Sequence, residues 1–221
     1  MIKAVLFDLD NTLIDFMRMK RASVDAAINA MLGSGLKMGK DAASKALYSI
    51  YKQHGIEHQL IFQKFLKKVT GKIDYKILAD GIVAYRKAQI GVLEPYAQVI
   101  PTLIALRERG LKLAIVTDAP KLKAWIRLSE MKLVDFFDVV VAHEDTNAYK
   151  PSKEPFLAAL KQLKLSPGEC LMVGDWPERD IKGAKALGMK TAFAKYGAIR
   201  KSKIRADYTL RGIEDILRIV R

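Results

Sequence analysis

Lys3-Ala4-Val5-Leu6-Phe7-Asp8-Leu9-Asp10-Asn11-Thr12-Leu13 joins an apolar run to two acidic residues and a hydroxyl. A short run without polar alternation predicts a strand buried on both faces, the kind found in parallel sheets. Carboxylates do not continue such a core, so Asp8 and Asp10 mark the end of the strand and the start of a loop. Four similar runs follow, Leu113 to Val116, Val139 to Ala142, Leu171 to Val173 and Thr191 to Ala194. Stretches with helical spacing separate them, such as Leu122, Ile126 and Met131, or Phe156, Leu157, Leu160 and Leu163. Strand alternating with helix predicts an α/β fold, with a Rossmann-like parallel sheet covered by helices on both faces.

About 100 residues separate the first run from the second, far more than one crossover requires, so something is inserted there. The insert reads as helical throughout. Val24, Ala27, Ile28 and Met31 share one face, Ile61, Phe65, Leu66 and Val69 another, and Ile77, Ile82 and Tyr85 a third. Gly33 to Gly39 and Thr70 to Lys72 are the breaks. The chain is therefore expected to divide into a discontinuous core, 1–14 and 92–221, and a small helical cap, 15–91. It returns to the core near Pro95 through a helix carrying Leu103 and Leu106 and ending at Gly110.

Half the residues are hydrophobic and 28% are charged, a balance that supports a folded interior. No apolar run approaches the roughly 18 residues that cross a bilayer, so no membrane association and a cytoplasmic location are the default expectations. The one cysteine, Cys170, lies in an apolar run and reads as a packed side chain. The net charge of +14 fits an anionic small substrate or a nucleic-acid surface. Residues 15–91 hold 14 Lys and Arg against 6 Asp and Glu, so the excess is spread over both parts. The densest basic stretch, Lys195 to Arg205, contains one aromatic, Tyr196, and lacks the interleaved stacking residues of a single-strand platform. A solvated basic surface is the simpler reading, and nucleic acid is not the expected partner.

In open α/β sheets, ligands bind beyond the carboxyl ends of the strands. Asp8 and Asp10 follow the first run, Asp118 the second, and Asp175 and Asp180 the fourth, which brings five acidic groups to one edge. Carboxylates at 4 Å repel by about 4 kcal/mol per pair at an effective dielectric near 20, so such a cluster needs a cation or raised pKa values. Oxygen donors without His or Cys suit magnesium better than zinc. His54, His58 and His143 are expected to lie elsewhere.

These residues resemble the motifs of the haloacid dehalogenase superfamily. Asp8-Leu9-Asp10-Asn11-Thr12-Leu13 is similar to its first motif, Val116-Thr117-Asp118 to its second, Lys150-Pro151 to its third, and Gly174-Asp175-Trp176-Pro177-Glu178-Arg179-Asp180 to its fourth. The inserted cap matches the phosphoglycolate phosphatase and beta-phosphoglucomutase-like branch by position and helical pattern. The resemblance implies a magnesium-dependent phosphatase acting on a small phosphorylated metabolite. In it, Asp8 is the nucleophile and becomes transiently phosphorylated, while Asp10 is the proton donor and base. Asp8, the main-chain carbonyl of Asp10 and Asp175 hold the ion, with Asp180 as a direct or indirect partner. Thr117 and Lys150 bind the transferring oxygens; Asp118 is a substrate-binding candidate with them and could equally cap or orient its neighbours.

Asp10 argues against the superfamily's dehalogenases, since halide leaves without a proton. A phosphomutase shares the whole constellation and remains the alternative. Two departures stand out: Asn11 replaces a glycine common after the second aspartate, and Trp176 stands where many relatives have a small residue. Trp176 either covers the core edge or walls an apolar part of the substrate. Arg18, Lys20, Arg21, Arg86 and Lys87, near the two ends of the cap, are candidates for reaching anionic substrate groups.

Overall fold

Ala4–Phe7 forms β1, and all four residues are fully buried. In the computed structural model, which describes residues 1–220, β1 is joined by β2 (Lys112–Val116), β3 (Val139–Val141), β4 (Cys170–Gly174), β5 (Lys190–Ala194) and β6 (Tyr208–Leu210). The strand order is β3-β2-β1-β4-β5-β6 and every neighbouring pair is parallel. The chain steps from β1 to β2 on one side and later crosses to β4 on the other. The switch point of the sheet thus lies between the carboxyl ends of β1 and β4, where such folds bind ligands.

Between β1 and β2 run α1 (Phe16–Gly33), α2 (Lys40–His54), α3 (Ile61–Thr70), α4 (Tyr75–Val92) and α5 (Val99–Glu108). The chain divides into two compact units: Met17–Leu93, which contains the first four helices apart from Phe16, and Met1–Phe16 with the chain from Glu94 onward. Val24, Ile28 and Met31 of α1, Leu47 and Tyr51 of α2, Phe65 and Leu66 of α3, and Ile77 and Leu78 of α4 form the core of the helical unit. Asp74 caps α4 by accepting from the N–H groups of Lys76 and Ile77, and Gly71 ends α3 in the left-handed conformation (φ 77°). No apolar stripe stands out in residues 40–54 of the sequence because α2 is largely polar and buries four residues, Ala43, Leu47, Ile50 and Tyr51.

The remaining helices of the sheet unit are α6 (Lys121–Glu130), α7 (His143–Thr146), α8 (Lys153–Leu163) and α9 (Asp180–Ala186). Ala4, Leu6, Ala114, Val116, Cys170 and Met172 pack on one sheet face against Phe156, Ala159, Leu160 and Leu163 of α8 and Ala184 of α9. Alternate residues, Val5, Phe7, Leu113, Ile115, Leu171 and Val173, are also fully buried, so both faces are covered and the runs need no alternation. Cys170 is one of the packed residues, its thiol pushed up to about 11 by burial. No helix among the described residues is long and apolar enough to cross a membrane.

Three local readings need correction. β6 went unread because its three residues lie at the sheet edge and bury only Leu210. In α6, Leu122 and Ile126 are exposed, and the buried face is Ala124, Arg127 and Leu128 instead. In α8, Leu157 is likewise exposed while Phe156, Leu160 and Leu163 are buried. Phe156 is fully buried beneath the sheet, so Phe156→Ala is expected to destabilise the protein by about 3–5 kcal/mol, read as a lowered urea midpoint.

Candidate active site

Asp8 follows β1, Asp175 follows β4, and Asp180 opens α9; all three are buried. Because Phe7 pairs with Val173, the two strands deliver Asp8 and Asp175 beside each other at the switch point. Asp180 folds back toward them, its Oδ2 accepting the Trp176 N–H at 3.0 Å. Gly174 makes the room: a Cβ there would stand 2.3 Å from the Asp180 carboxyl carbon. One carboxylate oxygen from each of the three residues lies within 4.8 Å of the others.

Lys150, 3% exposed, joins this cluster from the loop before α8. Its Nζ donates to Asp8 Oδ1 at 2.6 Å, to Asp180 Oδ1 at 2.7 Å and to the Val116 carbonyl at 2.8 Å. Burial alone would lower the lysine's pKa, but the carboxylates of Asp180, Asp8 and Asp118 outweigh it and hold the ammonium charged. Burial and the neighbouring carboxylates push Asp175 well above the usual range, and burial and Asp8 do the same to Asp180 against the opposing pull of Lys150. The hydroxyl of Thr12 stands 3.4 Å from both Asp8 Oδ2 and Asp175 Oδ1. Three carboxylates against one ammonium leave excess negative charge in a buried site. The raised pKa values and the all-oxygen donor set fit a hard divalent cation.

Of the five acidic groups expected at this edge, Asp8, Asp175 and Asp180 form the compact triad. Asp118 and Asp10 each have an arginine. Asp118 accepts from Arg179 Nη1 at 2.7 Å and from the Lys150 N–H at 2.9 Å, which ties the second, third and fourth motifs together. Both oxygens of Asp10 accept from Arg127 Nη1, at 3.0 and 2.8 Å. Thr117 is buried at the end of β2, its Oγ1 accepting the Ala119 N–H at 3.1 Å. Asn11 has φ 59°, a left-handed conformation that glycine accepts freely and asparagine better than most residues, which accounts for the departure from glycine there.

Sequence reading missed Arg127, and it read the segment after β5 only as a basic stretch, not as a neighbour of the first motif. Tyr196 donates its hydroxyl to the Thr12 carbonyl at 2.8 Å, and Gly197 lies so close to Asn11 that a Cβ would meet the Asn11 carbonyl oxygen at 1.6 Å. Trp176 is neither a bare cover nor an open wall: the guanidinium groups of Arg179 and Arg200 stack on its ring, each 3.8 Å from the centroid. Of the basic residues near the ends of the helical unit, Lys20 is buried, donating to Tyr85 Oη at 2.9 Å and lying 4.3 Å from the centroid of the Tyr51 ring, while Arg18, Arg21, Arg86 and Lys87 are exposed. His54, His58 and His143 lie outside the acidic triad.

A family model described as haloacid dehalogenase-like hydrolase matches residues 2–188. The chain belongs to this family. It is 35% identical over 224 residues to a glyceraldehyde 3-phosphate phosphatase of Methanocaldococcus jannaschii, covering 100% of this chain and 98% of the relative. It is 36% identical over 156 residues to the pyrophosphatase PpaX of Halalkalibacterium halodurans, covering 67% of this chain and 72% of that one. Among solved structures, a haloacid dehalogenase-type phosphatase from Thermococcus onnurineus superposes with a TM-score of 0.73 at 30% identity, covering 99% of this chain and 97% of that chain.

The two buried ion pairs of Lys150 predict that the fold depends on it. Lys150→Met would leave two buried carboxylates without their cation, and breaking a buried ion pair from one side typically costs about 3–5 kcal/mol. Denaturant unfolding at neutral pH in the presence of chelator is expected to show a loss of that size.

Proposed function

We propose that this hydrolase is a magnesium-dependent phosphatase that cleaves a small phosphorylated metabolite through a phosphorylated Asp8. The observation that carries the reading is the buried triad of Asp8, Asp175 and Asp180 with Lys150 bridging two of its members, at the switch point of the sheet. The side chains of Asp8, Asp175 and Asp180 and the main-chain carbonyl of Asp10 would hold the ion. When bound, magnesium neutralises phosphoryl charge and lets a dianion approach a carboxylate.

The residues themselves divide the rest of the work. Phosphate monoester hydrolysis is among the slowest uncatalysed biological reactions, with enzymatic accelerations up to about 10²¹, so nucleophile, proton donor and charge compensation must all be in position. A carboxylate oxygen of Asp8 attacks phosphorus as the ester oxygen departs, and Asp10 gives that oxygen its proton. Water then attacks the phosphorus of the aspartyl phosphate, Asp10 takes its proton, and Asp8 leaves as carboxylate. Lys150 fixes the direction of the Asp8 carboxylate and screens it from the incoming substrate. Thr117, at the end of β2, offers a hydroxyl to the phosphoryl oxygens, and Asp118 orients both the Lys150 backbone and Arg179.

The name of the full-length archaeal relative puts glyceraldehyde 3-phosphate first among the substrates to test, with pyrophosphate as the contrasting case from the second relative. The test is phosphate release from a panel of phosphorylated metabolites and an aryl phosphate, with magnesium and after chelation. Release that requires the ion and vanishes in Asp8→Asn is expected. Equal turnover after exhaustive chelation would remove magnesium from the account, and undiminished turnover in Asp8→Asn would remove the nucleophile.

Asp10→Asn keeps Asp8 and the main-chain carbonyl but deletes the proton donor and base. Turnover on an alkyl phosphate is expected to fall by about 10² to 10⁴. The loss in the phosphorylation step should shrink for an aryl leaving group, whose oxide needs little protonation. Steady-state rates across a leaving-group series check this.

A further inference from the structure

We infer that Arg127 is a positioning residue for the proton transfer performed by Asp10, an inference that rests on the phosphatase reading above. Arg127 is 2% exposed, on the inner face of α6 between Ala124 and Leu128. A guanidinium is costly to bury, and a buried ion pair is weak evidence of a stability role, since apolar packing often does as well. An arginine here therefore calls for a reason other than packing.

The geometry supplies one. A single nitrogen, Nη1, donates to both oxygens of Asp10, at 3.0 and 2.8 Å, which fixes the carboxylate in one orientation. The guanidinium is itself held, with its carbon 4.7 Å from the centroid of the Phe16 ring. Phe16 is the residue at which the chain leaves the sheet unit, and α6 starts a few residues beyond Thr117 and Asp118 at the end of β2. Arg127 thus braces the loop after β1 against the helix that follows β2. Asp10 is also more exposed than its partner: the side chain of Asp10 is 24% accessible and that of Arg127 3%. The acid meets solvent while its brace does not.

Proton transfer gains from such a brace because it needs a donor held in hydrogen-bond reach of the ester oxygen. As the bond between phosphorus and the ester oxygen breaks and the bond to Asp8 forms, the proton passes from Asp10 to that oxygen. The negative charge left on Asp10 then develops against a fixed cation. In the second step the proton of the attacking water passes to Asp10 while the bond between phosphorus and Asp8 breaks.

The test uses kcat/KM, which reports the steps through phosphorylation, on a series of alkyl and aryl phosphates. Arg127→Met is expected to lose about 10- to 100-fold on alkyl phosphates and much less on an aryl phosphate with an acidic phenol, bounded by the loss in Asp10→Asn. The effect should disappear when Arg127→Met is added to Asp10→Asn. Arg127→Lys, which keeps a buried cation, should recover part of the rate, and it carries the test should the methionine variant fold poorly by circular dichroism. A loss uniform across leaving groups in either variant, or one undiminished in the Asp10→Asn background, would overturn the inference while leaving the phosphatase reading intact. Wild-type protein inactive toward every ester would instead overturn the phosphatase reading, and this inference with it.

Discussion

Three buried carboxylates are held together at the carboxyl edge of a parallel sheet, and the arrangement of the site follows from keeping them there. Each pair at 4 Å repels by about 4 kcal/mol at an effective dielectric near 20, so the cluster must be compensated. Lys150 compensates part of it through short bonds to Asp8 and Asp180. The sheet order supplies the rest of the constraint. With β1 between β2 and β4, the first and fourth motifs leave adjacent strands side by side, and the second motif leaves the strand on the other flank. Gly174 then gives Asp180 room to turn inward.

Around this triad the arginines divide the remaining acidity. Asp118 accepts from Arg179, and Asp10 from Arg127, while Asp8, Asp175 and Asp180 stand together as the group that could hold a metal ion. The pairs do different jobs. Arg179 also stacks on Trp176, and with Arg200 brings two guanidinium groups onto the indole that follows Asp175. Two of the residues behind the +14 charge thus lie on the side chain next to Asp175.

The fold was largely legible because its central strands are short, apolar runs with acidic ends, a pattern that few other arrangements produce. What stayed hidden depended on tertiary context. β6 is an edge strand of three residues with little burial, so it carries almost no apolar signal. The buried face of α6 was misread because an arginine occupies it while Leu122 and Ile126 face outward, and hydrophobic periodicity cannot find a buried cation. The same blindness hid Arg127 from the candidate site. Asn11 was visible as a departure from glycine, but its reason, a backbone φ of 59°, is visible only in three dimensions.

The central claim is that Asp8, the residue held by Lys150 at the end of β1, is the group that becomes phosphorylated. Rapid quench of the enzyme during turnover, followed by reduction of the acyl phosphate and peptide mapping by mass spectrometry, tests it most directly. The account predicts a single modified residue, Asp8, that appears before steady-state phosphate release. A phosphoryl group on any other residue, or phosphate release with no covalent intermediate even in Asp10→Asn, would contradict it.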